Sequence, residues 1–212
     1  MLQTLDDYER QELLQLTTRR KYRRNETIFH EGEPGDTMHF LDRGRVAIRG
    51  TTPRGDVATL AVYASGAIYG EVALLTEQAI RTASVVALEP VEVMVLRRVD
   101  FDELRQRHVK VNEFLVALLT SQVQRLSKLL LDAHYATVEQ RVARRLCELV
   151  DIYEGHAKTT EIPLTQEDVA SLAGTTRPTL NRVLREFEDS GLISIQRGGF
   201  EIIDPVGLKR RR

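Results

Sequence analysis

The stretch Val109–Thr137, VKVNEFLVALLTSQVQRLSKLLLDAHYAT, decides how the rest of the chain is read. Val116, Leu119, Val123, Leu126, Leu130, Ala133 and Thr137 recur at alternating steps of three and four, the spacing of a coiled-coil seam. A second apolar row, Phe114, Leu115, Leu118 and Leu129, runs beside the first. One row can pack on the chain's own front half while the other meets a partner, so the stretch reads as a dimerisation helix over about residues 109–136. Periodicity alone also fits a core helix buried on two faces. The segments on either side favour the dimer.

At 212 residues the chain has room for one large domain or two small ones. Its 42% hydrophobic and 29% charged residues describe an ordinary soluble protein. The longest uninterrupted apolar run, Phe114 to Leu119, is far short of a membrane span, and the N-terminal MLQTLDDYERQE has no apolar core of a signal peptide. The expectation is a cytoplasmic protein without a membrane partner. The single cysteine, Cys147, lies in a helical pattern; it supports neither a disulfide framework nor an iron-sulfur cluster and reads as packing. Net charge is -1, and the part from Val138 onward carries equal numbers of acidic and basic residues, so any nucleic-acid contact must come from local clustering.

Residues 1–18 read as a short amphipathic helix that can lay Leu5, Tyr8, Leu13, Leu14 and Leu16 against something larger. The run Arg19 to Arg24 has five cations in six residues and reads as a strand with a charged outer face. From Tyr22 to Leu96 short β-type segments alternate with breakers at Gly32, Pro34-Gly35-Asp36, Gly44, Pro53 to Gly55, Gly66 and Gly70. The segments are Ile28–Phe29, Met38–Leu41, Arg45–Arg49, Val57–Val62, Ser84–Ala87 and Val91–Leu96. That spacing predicts a jelly roll or sandwich.

One stretch departs from the strand pattern: Tyr69-Gly70-Glu71-Val72-Ala73-Leu74-Leu75, followed by Arg81-Thr82-Ala83-Ser84. The turn after Gly70 can present free N–H groups to a phosphate. Arg81 supplies a full charge, Thr82 a hydroxyl, and Glu71 an acceptor suited to a sugar hydroxyl. Together they outline a pocket for a sugar phosphate.

Beyond Val109–Thr137 the chain turns helical. Thr137 with Gln140 forms a capping-box pattern ahead of Val138, Val142, Leu146, Leu149 and Tyr153, a helix predicted to stop at Gly155. After an extended piece, Glu161 to Leu164, Thr165 caps a second helix, Gly174 turns, and Thr175-Thr176 open a third over Arg177–Ser190. Gly198-Gly199 then joins two short strands. Helix, turn, helix and hairpin make a winged helix-turn-helix. The third helix carries Arg177, Arg182 and Arg185 and no acid in its first turns, as a helix does that offers arginines to guanine edges in a major groove. The terminal Lys209–Arg212 is a basic tail.

These motifs resemble the bacterial transcription regulators related to the cyclic-AMP receptor protein and FNR. The likeness rests on Glu31-Gly32-Glu33-Pro34-Gly35-Asp36, Asp42-Arg43-Gly44-Arg45-Val46, Tyr69-Gly70-Glu71 with Arg81-Thr82-Ala83-Ser84, and Gly174-Thr175-Thr176-Arg177 with Asn181-Arg182. It runs from about Arg20 to Asp204. The resemblance implies an α+β fold: an N-terminal β jelly roll of the cyclic-nucleotide-binding type with the dimerisation helix (residues 1–136), then a winged helix-turn-helix domain (137–212). It implies that Arg81 pairs with a cyclic phosphate, that Thr82 and the turn at Gly70 hydrogen-bond it, and that Glu71 takes the ribose 2'-hydroxyl. The family's Thr-Ser pair at the base falls on Leu126-Ser127, where Ser127 matches and Leu126 does not. Cyclic AMP is the implied effector, with cyclic GMP the alternative because threonine follows the cassette arginine; haem, another effector or none complete the alternatives. On DNA the implied contacts are Thr176, Arg177, Pro178, Thr179 and Arg182, with Pro178 standing where relatives have glutamate. The implied partners are a two-fold-symmetric DNA operator, a second copy of the chain and RNA polymerase. Neither a catalytic site nor a metal site is expected: a jelly-roll metalloenzyme would need clustered His and Glu ligands, and His30 and His39 are too sparse. The hinge is expected at His134-Tyr135-Ala136.

Overall fold

Short strands closed by glycine turns dominate the front of the chain, as the breaker spacing predicts. The computed structural model describes residues 7–153 and 159–212. Two units emerge: Met1–Gly55 with Tyr63–Ser127, and Asp56–Val62 with Lys128–Arg212.

In the first unit, β1 (Thr18–Tyr22), β8 (Val91–Arg97), β3 (Thr37–Arg43) and β6 (Ile68–Tyr69) form one sheet in the order β1-β8-β3-β6. A second sheet aligns β2 (Thr27–Phe29), β7 (Ser84–Ala87) and β4 (Arg45–Thr51), all antiparallel. Strand alternation in β3 sends Met38 and Phe40 into one apolar cluster with Leu96, Phe101 and Leu104, while Leu41 joins Val46, Tyr69, Val85 and Val93 in another. The charged run becomes β1, whose outer face is tied by Arg19 to Asp42 at 2.8 Å and Lys21 to Glu92 at 2.9 Å. The expected N-terminal helix is α1 (Asp7–Gln15); Leu13 is buried, but Tyr8 stays 70% exposed rather than packing inward. Its ring lies 6.3 Å from that of His108, and Leu5 lies outside the described residues. A helix not anticipated from sequence, α3 (Arg98–Arg107), follows β8 and buries Phe101 and Leu104.

The long helix α4 spans Val109–Tyr135. Its two apolar rows have different fates. Phe114, Leu115 and Leu118 join the core of the first unit, whereas Val116 (65%), Val123 (62%) and Leu130 (59%) remain exposed. One row thus packs on the chain's own front half, as expected, and the other is exposed.

In the second unit, Thr137 and Gln140 form the reciprocal cap that opens α5 (Val138–Tyr153): the Thr137 N–H donates to Gln140 Oε1 at 3.0 Å and the Gln140 N–H to Thr137 Oγ1 at 3.2 Å. Its predicted end at Gly155 lies outside the described residues. A three-stranded sheet runs β10 (Ile193–Gln196), β11 (Gly199–Ile202), β9 (Thr160–Ile162). Helices α6 (Gln166–Leu172) and α7 (Arg177–Asp189) pack on α5 through Val169, Leu180, Val183, Leu184 and Phe187, all buried. A further short helix, α8 (Pro205–Lys209), closes the chain and buries Leu208. Residues Asp56–Val62, the larger part of β5 (Val57–Ala64), group with this unit; the Thr59 hydroxyl donates to Asp168 Oδ1 at 2.7 Å.

Candidate functional site

Arg81 is the centre of the first unit's site. It is a cation only 4% exposed, and the local backbone is shaped to admit it. Gly70, at φ +84°, caps α2 (Glu71–Leu75); a Cβ there would stand 2.7 Å from Arg81 Nη1 and 3.1 Å from the Thr37 carbonyl. Gly35 does the same on the other flank, where a Cβ would come 2.8 Å from Arg81 Nε. At Gly70 both the left-handed backbone and the lack of room demand glycine.

The guanidinium lies on the Phe29 ring, 4.1 Å from its centroid. Nη1 donates to the Thr37 carbonyl at 2.7 Å and to the Gly70 carbonyl at 3.2 Å, and Nη2 donates to Thr37 Oγ1 at 2.5 Å. A guanidinium has five N–H groups. Three are engaged, and Nε is buried without a partner. What remains unpartnered is the Nε–H, enclosed beside Gly35, and one Nη2–H. Burial lowers the pKa of Arg81, and the carboxylates of Asp36 and Glu33 oppose that shift.

Arg81 opens onto a cavity of about 530 Å³. Gly70, Glu71, Thr82 and Leu126, all singled out from sequence, line the same cavity, with Phe29, Tyr63 and Val123 among its apolar walls. Glu71 is buried; burial raises its pKa, opposed by a hydrogen bond from its own backbone N–H and by Arg125 and Arg81. Thr82 is exposed at the rim. Ser127 is exposed on α4 and is not among the lining residues. No histidine is among the described residues that line the cavity. His39 lies behind them, stacked on Tyr69 with centroids 5.2 Å apart and planes 3° apart. Burial, then Arg81 and Arg20, push its pKa down to about 3, so the imidazole is neutral; its Nδ1 has no partner.

Sequence reasoning missed Thr37, Phe29, His39 and Arg125 around this cavity. The first three had a signal. The alternation of β3 puts Thr37 and His39 on the face opposite Met38 and Phe40, and β2 supplies Phe29.

In the second unit, Thr176 caps α7, its hydroxyl accepting from the Thr179 N–H. Arg177, Pro178 and Arg182 are exposed, and Thr179 is half-buried. The turn at Gly174 (φ +59°) is anchored by Arg141, which donates to the carbonyls of Ala173 at 2.9 Å, Gly174 at 3.2 Å and Ala136 at 2.9 Å. One arginine of α5 thus holds both the helix-turn-helix corner and the end of the α4–α5 joint. A concave face is lined by Thr165, Gln166 and Glu167 at the start of α6, Arg177 of α7, and Gln196, Gly198 and Gly199 of the wing.

The two units define a class: a ligand-sensing β domain carried in one chain with a winged helix-turn-helix. The family profile "Cyclic nucleotide-binding domain" matches residues 19–108 and "Crp-like helix-turn-helix domain" matches residues 140–211. A cyclic AMP receptor protein of Thermus thermophilus is 32% identical over 191 residues, covering 90% of this chain and 86% of the relative. A CRP-like cAMP-activated global transcriptional regulator of Mycobacterium tuberculosis is 30% identical over 194 residues, covering 89% and 85%. The solved structure of FixK2 from Bradyrhizobium japonicum superposes with a TM-score of 0.78 at 20% identity, over 92% of this chain and 96% of that one, which establishes the shared fold. The chain belongs to the CRP/FNR family of transcription regulators, and its function is DNA-binding regulation rather than catalysis.

Proposed function

We propose that this chain is a homodimeric, cytoplasmic regulator that binds a cyclic nucleotide, cyclic AMP foremost, and thereby controls its affinity for a two-fold-symmetric DNA operator. The observation that carries the reading is the buried Arg81, with its Nε–H and one Nη2–H unpartnered, lining a cavity that Gly70, Glu71 and Thr82 also line. In this reading the unpartnered N–H groups of Arg81 take the cyclic phosphate. Thr82 and the Gly70 turn add hydrogen bonds, Glu71 accepts from the ribose 2'-hydroxyl, Leu126 packs on the base, and Ser127 reaches a base across the dimer. The names of the Thermus and Mycobacterium relatives both point to cyclic AMP, which supports the choice of base.

The sensor and DNA-binding domains are taken as residues 1–136 and 137–212, with His134-Tyr135-Ala136 as the hinge. Thr176, Arg177, Pro178, Thr179 and Arg182 form the groove-facing set, and RNA polymerase is a further partner. By length and composition α4 could cross a membrane, but Phe114, Leu115 and Leu118 are spent in the core of its own unit. Its exposed Val116, Val123 and Leu130 form a narrow row, suited to a second copy of the same helix. Nucleotide can change the setting of the recognition helices only through unequal affinity for two arrangements of the dimer.

Calorimetric titration of the purified protein with cyclic AMP and cyclic GMP tests the sensor half. Saturable binding of cyclic AMP, tighter than cyclic GMP, supports the reading; binding of neither removes it. For the dimer, Val116→Asp should yield monomers in sedimentation analysis, because two carboxylates would meet across the seam.

A further inference from the structure

We infer that Thr37 is a positioning residue for the effector: its side chain sets the angle at which the Arg81 guanidinium presents its unpartnered N–H groups to the cyclic phosphate. The inference rests on the cyclic-nucleotide reading above and adds to it a residue that neither the cassette motif nor the cavity walls contain, since Thr37 is absent from the cavity lining.

Three restraints act on the guanidinium, and they do different things. The Phe29 ring, 4.1 Å below, fixes the plane of the group but leaves it free to turn within that plane. Nη1 is held by the carbonyls of Thr37 at 2.7 Å and Gly70 at 3.2 Å, which gives a pivot. The bond from Nη2 to Thr37 Oγ1, at 2.5 Å, adds a hold at the second terminal nitrogen and narrows the turning that the side chain's tether at Cδ still allows. The carbonyls would be present with any residues at these positions. The hydroxyl is the hydrogen-bonding element that a side chain had to supply. That bond uses one Nη2–H and leaves the other, beside the unpartnered Nε–H, for a ligand oxygen. An arginine released from that bond would have to be ordered by the ligand itself, and the ordering would be subtracted from the affinity.

The local fold supports this assignment. Thr37 opens β3, and its neighbour Asp36 accepts the Arg98 N–H through its carbonyl at 2.7 Å, fixing the strand end. Arg81 is secured independently at its backbone, where its N–H donates to the Glu33 carbonyl at 2.8 Å and its carbonyl accepts from Gly32 at 2.9 Å. Both ends of the Thr37–Arg81 pair are therefore anchored by main chain, and loss of the hydroxyl acts on the side-chain angle.

The test is a calorimetric titration with cyclic AMP on wild type, Thr37→Val, Thr37→Ser and Thr37→Val in an Arg81→Lys background. Valine keeps the shape and removes the hydroxyl; Thr37→Ala provides the same loss in a smaller side chain should valine prevent folding. The expected result is a loss of about five- to tenfold in affinity for Thr37→Val, the scale of one hydrogen bond. Thr37→Ser should bind like wild type. In the Arg81→Lys background, where no fork is left to aim, Thr37→Val should change nothing further. Wild-type affinity in both Thr37→Val and Thr37→Ala overturns the inference, as does failure of Thr37→Ser to restore binding or a full additive loss on top of Arg81→Lys. Should wild type bind neither cyclic AMP nor cyclic GMP, the cyclic-nucleotide reading itself fails, and the inference with it.

Discussion

Arginine does opposite work in the two units. Arg81 is 4% exposed, bonded at three of its five N–H groups and laid on an aromatic ring; Arg177 and Arg182 are exposed on the surface of α7. A small ligand brings few contacts, so the site that binds it must hold its cation in place beforehand. A DNA duplex brings a long array of phosphates and base edges, so a recognition helix can leave its cations solvated until they dock. Substitutions at the buried arginine should therefore damage both binding and stability, and those at the exposed arginines binding alone.

The largest expected effect is at Arg81. Arg81→Ala should weaken cyclic-nucleotide binding by about ten- to a hundredfold, the loss of charge-assisted bonds of roughly 1.5 to 3 kcal/mol. It should also lower stability to urea by about 1 to 3 kcal/mol, because the Thr37 and Gly70 carbonyls lose their partner at a buried position. Intact nucleotide affinity would show that the cassette is misassigned. Arg177→Ala is the contrasting case: operator affinity should fall by about 1 to 3 kcal/mol, with unfolding within about 0.5 kcal/mol of wild type. A marked loss of stability there would erase the distinction between the two arginine environments.

A third effect belongs to the buried site alone. The His39 pKa is depressed from 6.5 to about 3 in the fold, so below pH 6.5 the unfolded chain takes up a proton that the folded chain refuses. Stability is full above pH 6.5 and declines as pH falls toward 3. By pH 5 the loss from this group is about 2 kcal/mol. Urea unfolding at a series of pH values should show the slope in wild type and a shallower one in His39→Phe; equal slopes would mean that His39 is not the group responsible. The smallest effect is at Pro178, which sits in the first turn of α7, where proline is sterically at home. It has no acceptor for a base edge. Pro178→Glu should sharpen selection for cytosine at one base step by about 1 kcal/mol and leave the other steps unchanged, measured on operators varied one base pair at a time at fixed salt.

How far each region could be read from sequence follows the same contrast. The recognition helix, its cap at Thr176, the Gly174 turn and the wing are local patterns, each settled by residues within a few positions of one another, and they came through nearly intact. Gly70, Glu71, Arg81 and Thr82 were legible as one group, and they do line one cavity, but what surrounds Arg81 was not legible. Thr37 meets Arg81 across 44 residues of chain and His39 lies behind a neighbouring strand, so only the closed barrel brings them together. Arg141 is similar: its hold on Ala173 and Gly174 spans 32 and 33 residues. Helix α3 escaped notice because RVDFDELRQR buries only Phe101 and Leu104, too few apolar residues for a periodic signal. The two-residue β6 was too short to stand out. Leu126 was read as a seam residue and also lines the cavity, since one helix face serves both.

The central claim is that occupancy of the Arg81 cavity controls DNA binding by α7. It is tested most directly by fluorescence anisotropy with the tightest two-fold-symmetric site selected from a randomised DNA pool, titrated with protein at fixed salt, with and without saturating cyclic AMP. The account predicts that cyclic AMP shifts operator affinity by about five- to 150-fold in wild type, and that Arg81→Ala needs about ten- to a hundredfold more nucleotide to reach the same shift. Superimposable wild-type curves with and without the nucleotide, at a concentration where calorimetry shows the cavity filled, would contradict it.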